Sequence, residues 1–342
     1  RQLGAQPRQH HARQGGVRAR GPPPDGASAR APAGEDAALS VKMIKTMKQL
    51  KKIKIYINIP AQAIAGGVES LFQLADAINN VGGESIILWD IQYGDPIPGK
   101  YKHYNVQHST EVEDTSDNWI IYPEVWTEKL HTYKNVKKAI WWLSVDNNHG
   151  KFKEFSDSNI THFYQSFYAL DFLQKNGVEK YLPLFDYIPA KYTELTYDVS
   201  EKKNIVCYNP VKGLEITNQI KSLNPEIQFV PIVGMEESQI IGLLKTSKIY
   251  IDFGHHPGRD RIPRESAILG NCVITNSKGA AGFYNDIPVS KQYKTSNVEE
   301  IGTAIRNCFE NFESVINEYS IYRSSIRNQK EQLHNLVKQY FL

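Results

Sequence analysis

Three arginines within six positions, Arg259, Arg261 and Arg264, stand in the run Gly254-His255-His256-Pro257-Gly258-Arg259-Asp260-Arg261-Ile262-Pro263-Arg264-Glu265-Ser266. Guanidinium groups at that density are costly to fold together unless the loop is fully hydrated or holds an anion. The run follows the apolar stretch Ile249 to Phe253 and leads into an expected helix start. Backbone N–H groups at a helix start favour negative charge as well. Glu265, close to that start, is placed to accept hydrogen bonds from two vicinal hydroxyls, as a ribose presents them. The paired histidines have no third ligand at an obvious spacing, which argues against zinc.

Three other loops carry candidate chemistry. Lys212-Gly213 closes the turn Asn209-Pro210-Val211-Lys212-Gly213, directly after an expected strand. A lysine there either neutralises a diphosphate at the next helix start or simply faces solvent from a Pro/Gly turn. Gly66-Gly67 precedes Val68-Glu69 at another strand-to-helix junction, where glycine lets backbone approach a ligand but also serves ordinary turns. Trp141-Trp142-Leu143-Ser144-Val145-Asp146-Asn147-Asn148-His149-Gly150 runs from an apolar strand into polar residues. Asp146 is the preferred candidate there for an acid or base and His149 the second, with turn capping as the alternative for each.

The elements around these loops alternate. Ile53 to Ile59 (IKIYINI) reads as a strand, Val68 to Ile78 repeats at helical spacing, and Glu84 to Asp90 (ESIILWD) is the next strand: a βαβ unit. Trp119 to Tyr122, Ala139 to Val145, Ile160 to Tyr164, a helix from Phe167 to Asn176, and Tyr181 to Leu184 continue the series. Tyr187 to Lys203 is polar and aperiodic, which marks an interdomain connection. Strands at Asn204 to Tyr208, Gln228 to Ile232, Ile249 to Phe253 and Cys272 to Thr275 then alternate with helices at Gly213 to Leu223, Glu237 to Thr246 and Pro263 to Leu269. The expected fold is α/β, two Rossmann-like doubly wound lobes with a helical C-terminal tail. The boundaries are 43–190 for the N-terminal lobe, 191–320 for the C-terminal lobe and 321–342 for a final helix. Two such lobes aim the carboxyl ends of both sheets at one cleft, where all four loops would meet.

With 342 residues, 41% of them apolar and 23% charged, the chain is long enough for two cores. A net charge of +3 does not call for nucleic acid as a partner. Cys207, Cys272 and Cys308 are far apart and flanked by apolar residues, so they read as buried, reduced thiols in a cytoplasmic protein. No apolar run approaches the roughly 18 residues needed to cross a bilayer. Residues 1–42 hold six of the twelve arginines and no aromatic residue, whereas lysine outnumbers arginine 27 to 6 from Met43 onward. That break predicts a disordered or non-native leader. Lys45, Lys48, Lys51, Lys52 and Lys54, interleaved with apolar residues, either lead into the first strand or form a basic amphipathic helix in peripheral contact with an anionic membrane.

Residues 53–320 resemble bacterial GT-B glycosyltransferases of the large, mostly retaining group that builds surface polysaccharides. The likeness rests on Gly66-Gly67-Val68-Glu69, Ser166-Phe167-Tyr168-Ala169, Lys212-Gly213 and the block Pro263-Arg264-Glu265-Ser266-Ala267-Ile268-Leu269-Gly270-Asn271-Cys272-Val273-Ile274. It implies a hexosyltransferase or related enzyme that takes a nucleotide-sugar donor and a glycan or lipid-linked glycan acceptor. In that reading Glu265 grips the ribose and Lys212 with one or more of Arg259, Arg261 and Arg264 holds the diphosphate. Gly66 and Gly67 leave room for phosphate or acceptor. Asp146 falls near the family's acceptor-side histidine, and Pro257 stands where an earlier glutamate is usual.

The chain contains no Asp-x-Asp tripeptide, in keeping with a site that needs no metal or other cofactor and stabilises the leaving diphosphate with cations and a helix dipole. Two readings compete with a transferase: a sugar-nucleotide epimerase, which needs no acceptor, and a two-lobed, non-enzymatic sugar-binding protein. A nicotinamide enzyme is disfavoured because no G-x-G-x-x-G run is followed by an acidic residue.

Overall fold

Ile55, Tyr56 and Ile57 are all buried, so the first strand, β1 (Lys54–Asn58), is apolar on both faces. A strand of that kind belongs inside a parallel sheet covered on both sides. In the computed structural model, which describes residues 52–60, 63–88 and 97–342, β1 pairs in parallel with β2 (Glu84–Leu88) and with β4 (Trp119–Pro123). Ile57 lies opposite both Ile87 and Ile121. The edge strand β3 (Gln107–Ser109), β5 (Lys137–Trp142), β6 (Ile160–Tyr164) and β7 (Tyr181–Pro183) complete a seven-stranded parallel sheet in the order β3-β2-β1-β4-β5-β6-β7. Helices α1 (Gly66–Asn80) and α2 (Phe167–Lys175) connect its strands. The leader 1–42 and most of the lysine-rich stretch after it lie outside the described residues.

The connection between lobes contains one turn of α-helix, α3 (Ala190–Thr193), and a 3₁₀ turn, Val199–Glu201. Beyond it come β8 (Lys203–Tyr208), α4 (Leu214–Leu223), β9 (Gln228–Pro231), α5 (Glu237–Thr246), β10 (Ser247–Asp252), α6 (Arg261–Ile268) and β11 (Cys272–Thr275). The four strands are parallel in the order β11-β10-β8-β9. With β8 and β10 neighbours at the centre, chain progression reverses there, and ligands bind at such switch points in open α/β sheets.

Three helices end the chain: α7 (Val298–Glu310), α8 (Phe312–Glu318) and α9 (Ser320–Phe341). The last does more than close the second lobe. Tyr322 and Ile326 at its start are buried in that lobe's core, whereas Leu333, Val337 and Phe341 are buried in the core of the first. Its apolar stripe thus ties the two lobes together. Trp141 and Trp142 are fully buried; the Trp141 indole donates to Leu184 O at 2.9 Å and that of Trp142 to His162 Nδ1 at 3.0 Å. The three cysteines are free and buried. Strand β3 escapes the hydropathy pattern because its three residues, Gln-His-Ser, are at a sheet edge and largely exposed. No helix among the described residues is long and apolar enough to cross a membrane.

Candidate functional site

Helix α1 starts at Gly66 immediately after the β1 loop, and its N-cap, Ala65, offers no side-chain acceptor to the first-turn N–H groups. A Cβ on Gly66 would lie 3.3 Å from Arg261 Cδ, so the absence of a side chain lets an arginine of the second lobe lie against the helix start of the first. One turn along α1, Glu69 is almost wholly buried and pairs with Arg261 Nη1. On the other side Arg261 Nε donates to Glu265 Oε1 at 3.1 Å. Arg261 is therefore clasped between a carboxylate of each lobe. Although burial opposes its charge, Glu265 and then Glu69 raise its pKa above the ordinary arginine value. Burial in turn raises the pKa of Glu265.

Lys212 and Gly213 come from the turn after β8. Gly213 is the N-cap of α4 with φ +64°, and a Cβ there would collide with the backbone at Phe253 and Gly254. Glycine is thus required both by conformation and by the close approach of the β10 loop. Lys212 Nζ donates to Asp260 Oδ2 at 2.9 Å. The same oxygen is 2.9 Å from Nδ1 of the buried His256, whose Nε2 is 3.8 Å from Asp252 Oδ1. Asp260 ionises more readily than an ordinary aspartate: burial works against it, but His256 and Lys212 outweigh that. Asp252, His256 and Asp260 could present three ligand atoms, all within 4.8 Å of one another, to a metal ion. In this structure the Lys212 ammonium already occupies one of those oxygens. The expectation that the histidines lack further ligands overlooked the i, i+4 spacing of these residues through the loop.

Two cavities open at this junction. The larger, about 680 Å³, is lined by Glu265 and Glu69 together with the Met235–Glu237 loop. The smaller, about 320 Å³, is lined by Gly67, Ser144, Asn147, Gln165 and Arg259. Gly66, Lys212, Asp260 and Arg261 line both.

Arg264, expected among the anion ligands, lines neither cavity. It is 1% exposed, donates from Nη2 to Asp186 Oδ2 at 2.7 Å and from Nη1 to Gln329 Oε1 at 3.2 Å, and so fastens α6 to the end of the first lobe and to α9. Arg261 and Arg264 are three positions apart, nearly one helical turn, and what surrounds α6 decides that the first meets the cleft and the second the core.

Asp146 sits in a 3₁₀ turn, Val145–Asn148, after β5. Its Oδ2 lies 2.6 Å from His255 Nε2 of the second lobe, and its Oδ1 accepts from the Tyr168 hydroxyl at 3.2 Å. Both partners of the Asp146–His255 pair remain about half exposed; neither lines either cavity, although the adjacent Asn147 lines the smaller one. His149 ends the same turn in the left-handed conformation, φ 51°, exposed and outside both cavities. Glu69, Asp260 and His255 had no assigned role in the sequence. Glu69 and Asp260 stand within motifs that drew attention for their glycines and arginines, and the Arg261–Glu265 spacing of four was a visible helix pair. Nothing local in the sequence links His255 to Asp146, 109 residues earlier.

No protein-family profile and no curated protein matches the sequence. Solved structures do match the fold. A glycosyltransferase from Rickettsia africae superposes with a TM-score of 0.58 at 16% identity, over 84% of this chain and 97% of that one. The Anabaena protein HepE, solved with UDP and glucose, gives 0.61 at 11% identity over 84% and 99%. Sucrose-phosphate synthase from Thermosynechococcus elongatus gives 0.57 at 11% over 85% and 99%. The fold is GT-B, two parallel α/β lobes ending in a C-terminal helix.

Proposed function

We propose that the protein is a glycosyltransferase that moves a sugar from a nucleoside diphosphate sugar to a glycan or lipid-linked glycan, in the assembly of a surface polysaccharide. The observation that carries this reading is the junction of the two cavities. Gly66 at an uncapped helix start, Lys212 and Arg261 converge there, and Glu265 faces only the larger space. A diphosphate at the junction would meet two cations and the α1 N-terminus, leaving the ribose hydroxyls to Glu265 and the nucleobase to the Met235–Glu237 loop. The sugar then extends into the smaller cavity toward Asp146. Among the fold neighbours, HepE was solved with UDP and glucose, which makes UDP the first nucleotide to test.

The leaving diphosphate is stabilised by fixed cations in a partly desolvated cleft, chemistry that needs no metal. Asp146 is the acceptor-side group. If transfer inverts configuration, Asp146 takes the acceptor proton, oriented by His255; if it retains configuration, as the family resemblance implies, the departing phosphate takes that proton and Asp146 orients the acceptor. Cytoplasmic placement at the inner membrane face belongs to the same proposal.

Calorimetry with UDP, GDP, dTDP, CMP, NAD and free sugars, without added metal, tests the reading. One nucleoside diphosphate should bind saturably, and Lys212→Ala should weaken it by about tenfold or more with little change in thermal midpoint. Silence toward every nucleotide, with a response to a free sugar, would make the protein a sugar-binding protein instead. Product formed from donor alone would make it an epimerase.

A further inference from the structure

We infer that the smaller cavity takes a donor sugar bearing a carboxylate, a hexuronic acid, and that Arg259 recognises it. The inference rests on the donor-site reading above and adds the class of sugar. It follows from where each cation near the cavities finds its counter-charge. Lys212 is paired with Asp260, Arg261 with Glu69 and Glu265, and Arg264 with Asp186. Arg259 has no carboxylate within ion-pair distance among the described residues, and its Nε is buried without a hydrogen-bond partner. Its guanidinium instead lies 5.2 Å from the centre of the Phe185 ring.

Two acids, Asp186 and Asp286, act on Arg259 through space without bonding its guanidinium; Asp186, which also lines the smaller cavity, keeps Oδ1 without a hydrogen-bond partner. Asp186 faces Arg264 at 2.7 Å, and Asp286 accepts from the Phe167 and Tyr168 N–H groups at 2.9 and 3.1 Å. Burial, and then the neighbouring Arg264 cation, lower the Arg259 pKa, consistent with a charge awaiting a counter-ion. A half-buried guanidinium whose Nε has no acceptor is costly, and a carboxylate offers the planar, two-oxygen match that relieves it.

Position selects the sugar over the diphosphate as the source of that carboxylate. Arg259 lines the smaller cavity and not the larger, whereas Lys212 and Arg261 already stand where the two meet. Beside Arg259, Ser144, Asn147 and Gln165 supply neutral hydrogen-bonding groups suited to ring hydroxyls.

The test is calorimetric titration of the full chain with UDP, UDP-glucose, UDP-glucuronate and UDP-galacturonate, and in parallel with GDP, GDP-mannose and GDP-mannuronate. A uronate donor should bind about tenfold or more tighter than its neutral counterpart. Arg259→Gln should remove that preference, with the loss falling on the uronate donor and not on the free nucleoside diphosphate. Arg259→Lys, which keeps the charge but loses the fork, should reduce the preference without erasing it and guards against misfolding of the glutamine variant. A neutral donor bound as tightly as the uronate by the unmodified protein overturns the inference. So does an Arg259→Gln variant that loses the free nucleoside diphosphate to the same extent, since Arg259 would then belong to the diphosphate. Silence toward every nucleotide removes the donor-site reading itself, and this inference with it.

Discussion

Arg261 and Arg264 share a helix and a charge, yet one lies in the cleft and the other is sealed beneath it. The difference comes from which carboxylates the fold brings to each: Glu69 and Glu265 for Arg261, Asp186 for Arg264. Removing one partner of a buried pair leaves an uncompensated charge, so Arg264 is a poor place to probe ligand binding. Asp146 is a better one. It is about half exposed and its partners are His255 and Tyr168, so Asp146→Asn should leave the fold and donor affinity nearly intact while slowing transfer, by about a hundredfold or more if Asp146 takes the acceptor proton. Steady-state kinetics alongside nucleotide titration separates the two effects. Unchanged turnover would reduce the pair to an interlobe contact.

The turn that carries Asp146 is held from below. Glu124, buried at the end of β4, accepts the Leu143 N–H at 3.0 Å, and Asn148 donates to Glu124 O at 2.7 Å while accepting from the Phe152 N–H at 2.9 Å. Burial pushes the Glu124 carboxyl up to about 7 from an ordinary 4.5. The folded protein therefore holds a proton there that the unfolded chain has released between those values. The stability this group contributes is complete below pH 4.5 and lost as pH rises through about 7. Glutamine, a neutral isostere, should escape that loss. At pH 8 Glu124→Gln should be more stable than the unmodified protein by about 1–3 kcal/mol, with the gap closing as pH falls toward 4.5. Denaturant midpoints across that range measure it, and a gap independent of pH would mean the carboxyl is not protonated in the fold.

Across the whole molecule, the loop after β10 fastens the second lobe onto the first. Val145 N–H donates to Pro257 O at 3.1 Å and Arg259 N–H reaches Gln165 Oε1 at 3.4 Å, while Asp286, from the loop after β11, caps the first turn of α2. Gly258 lies in the middle of these bonds, where a Cβ would collide with Leu143 O. Gly258→Val should therefore part the lobes while leaving each sheet folded. X-ray scattering should report a larger radius of gyration with an unchanged circular dichroism spectrum, and transfer should fall by about a hundredfold because the groups from the two lobes no longer meet. An unchanged radius would mean that α9, buried in both cores, sets the arrangement by itself.

The two-lobed α/β fold was legible in the sequence because β-branched runs, helical periodicity and glycine-bearing turns are local properties, each repeated often enough to be seen. Only β3, too short and polar at its sheet edge, was missing from the expected strands. The loops at the carboxyl ends of the strands were legible for the same reason: Gly66, Gly67, Lys212, Gly213 and the arginine cluster each sit where strand gives way to helix. What the linear chain leaves open is which side chain meets which. That Arg264 turns to Asp186, that Glu69 reaches Arg261 and that Asp146 meets His255 depend on contacts spanning 78, 192 and 109 residues. Such pairings are set by how two separately folded sheets and a shared terminal helix pack, because charge and hydrogen bonding act through space and not along the chain.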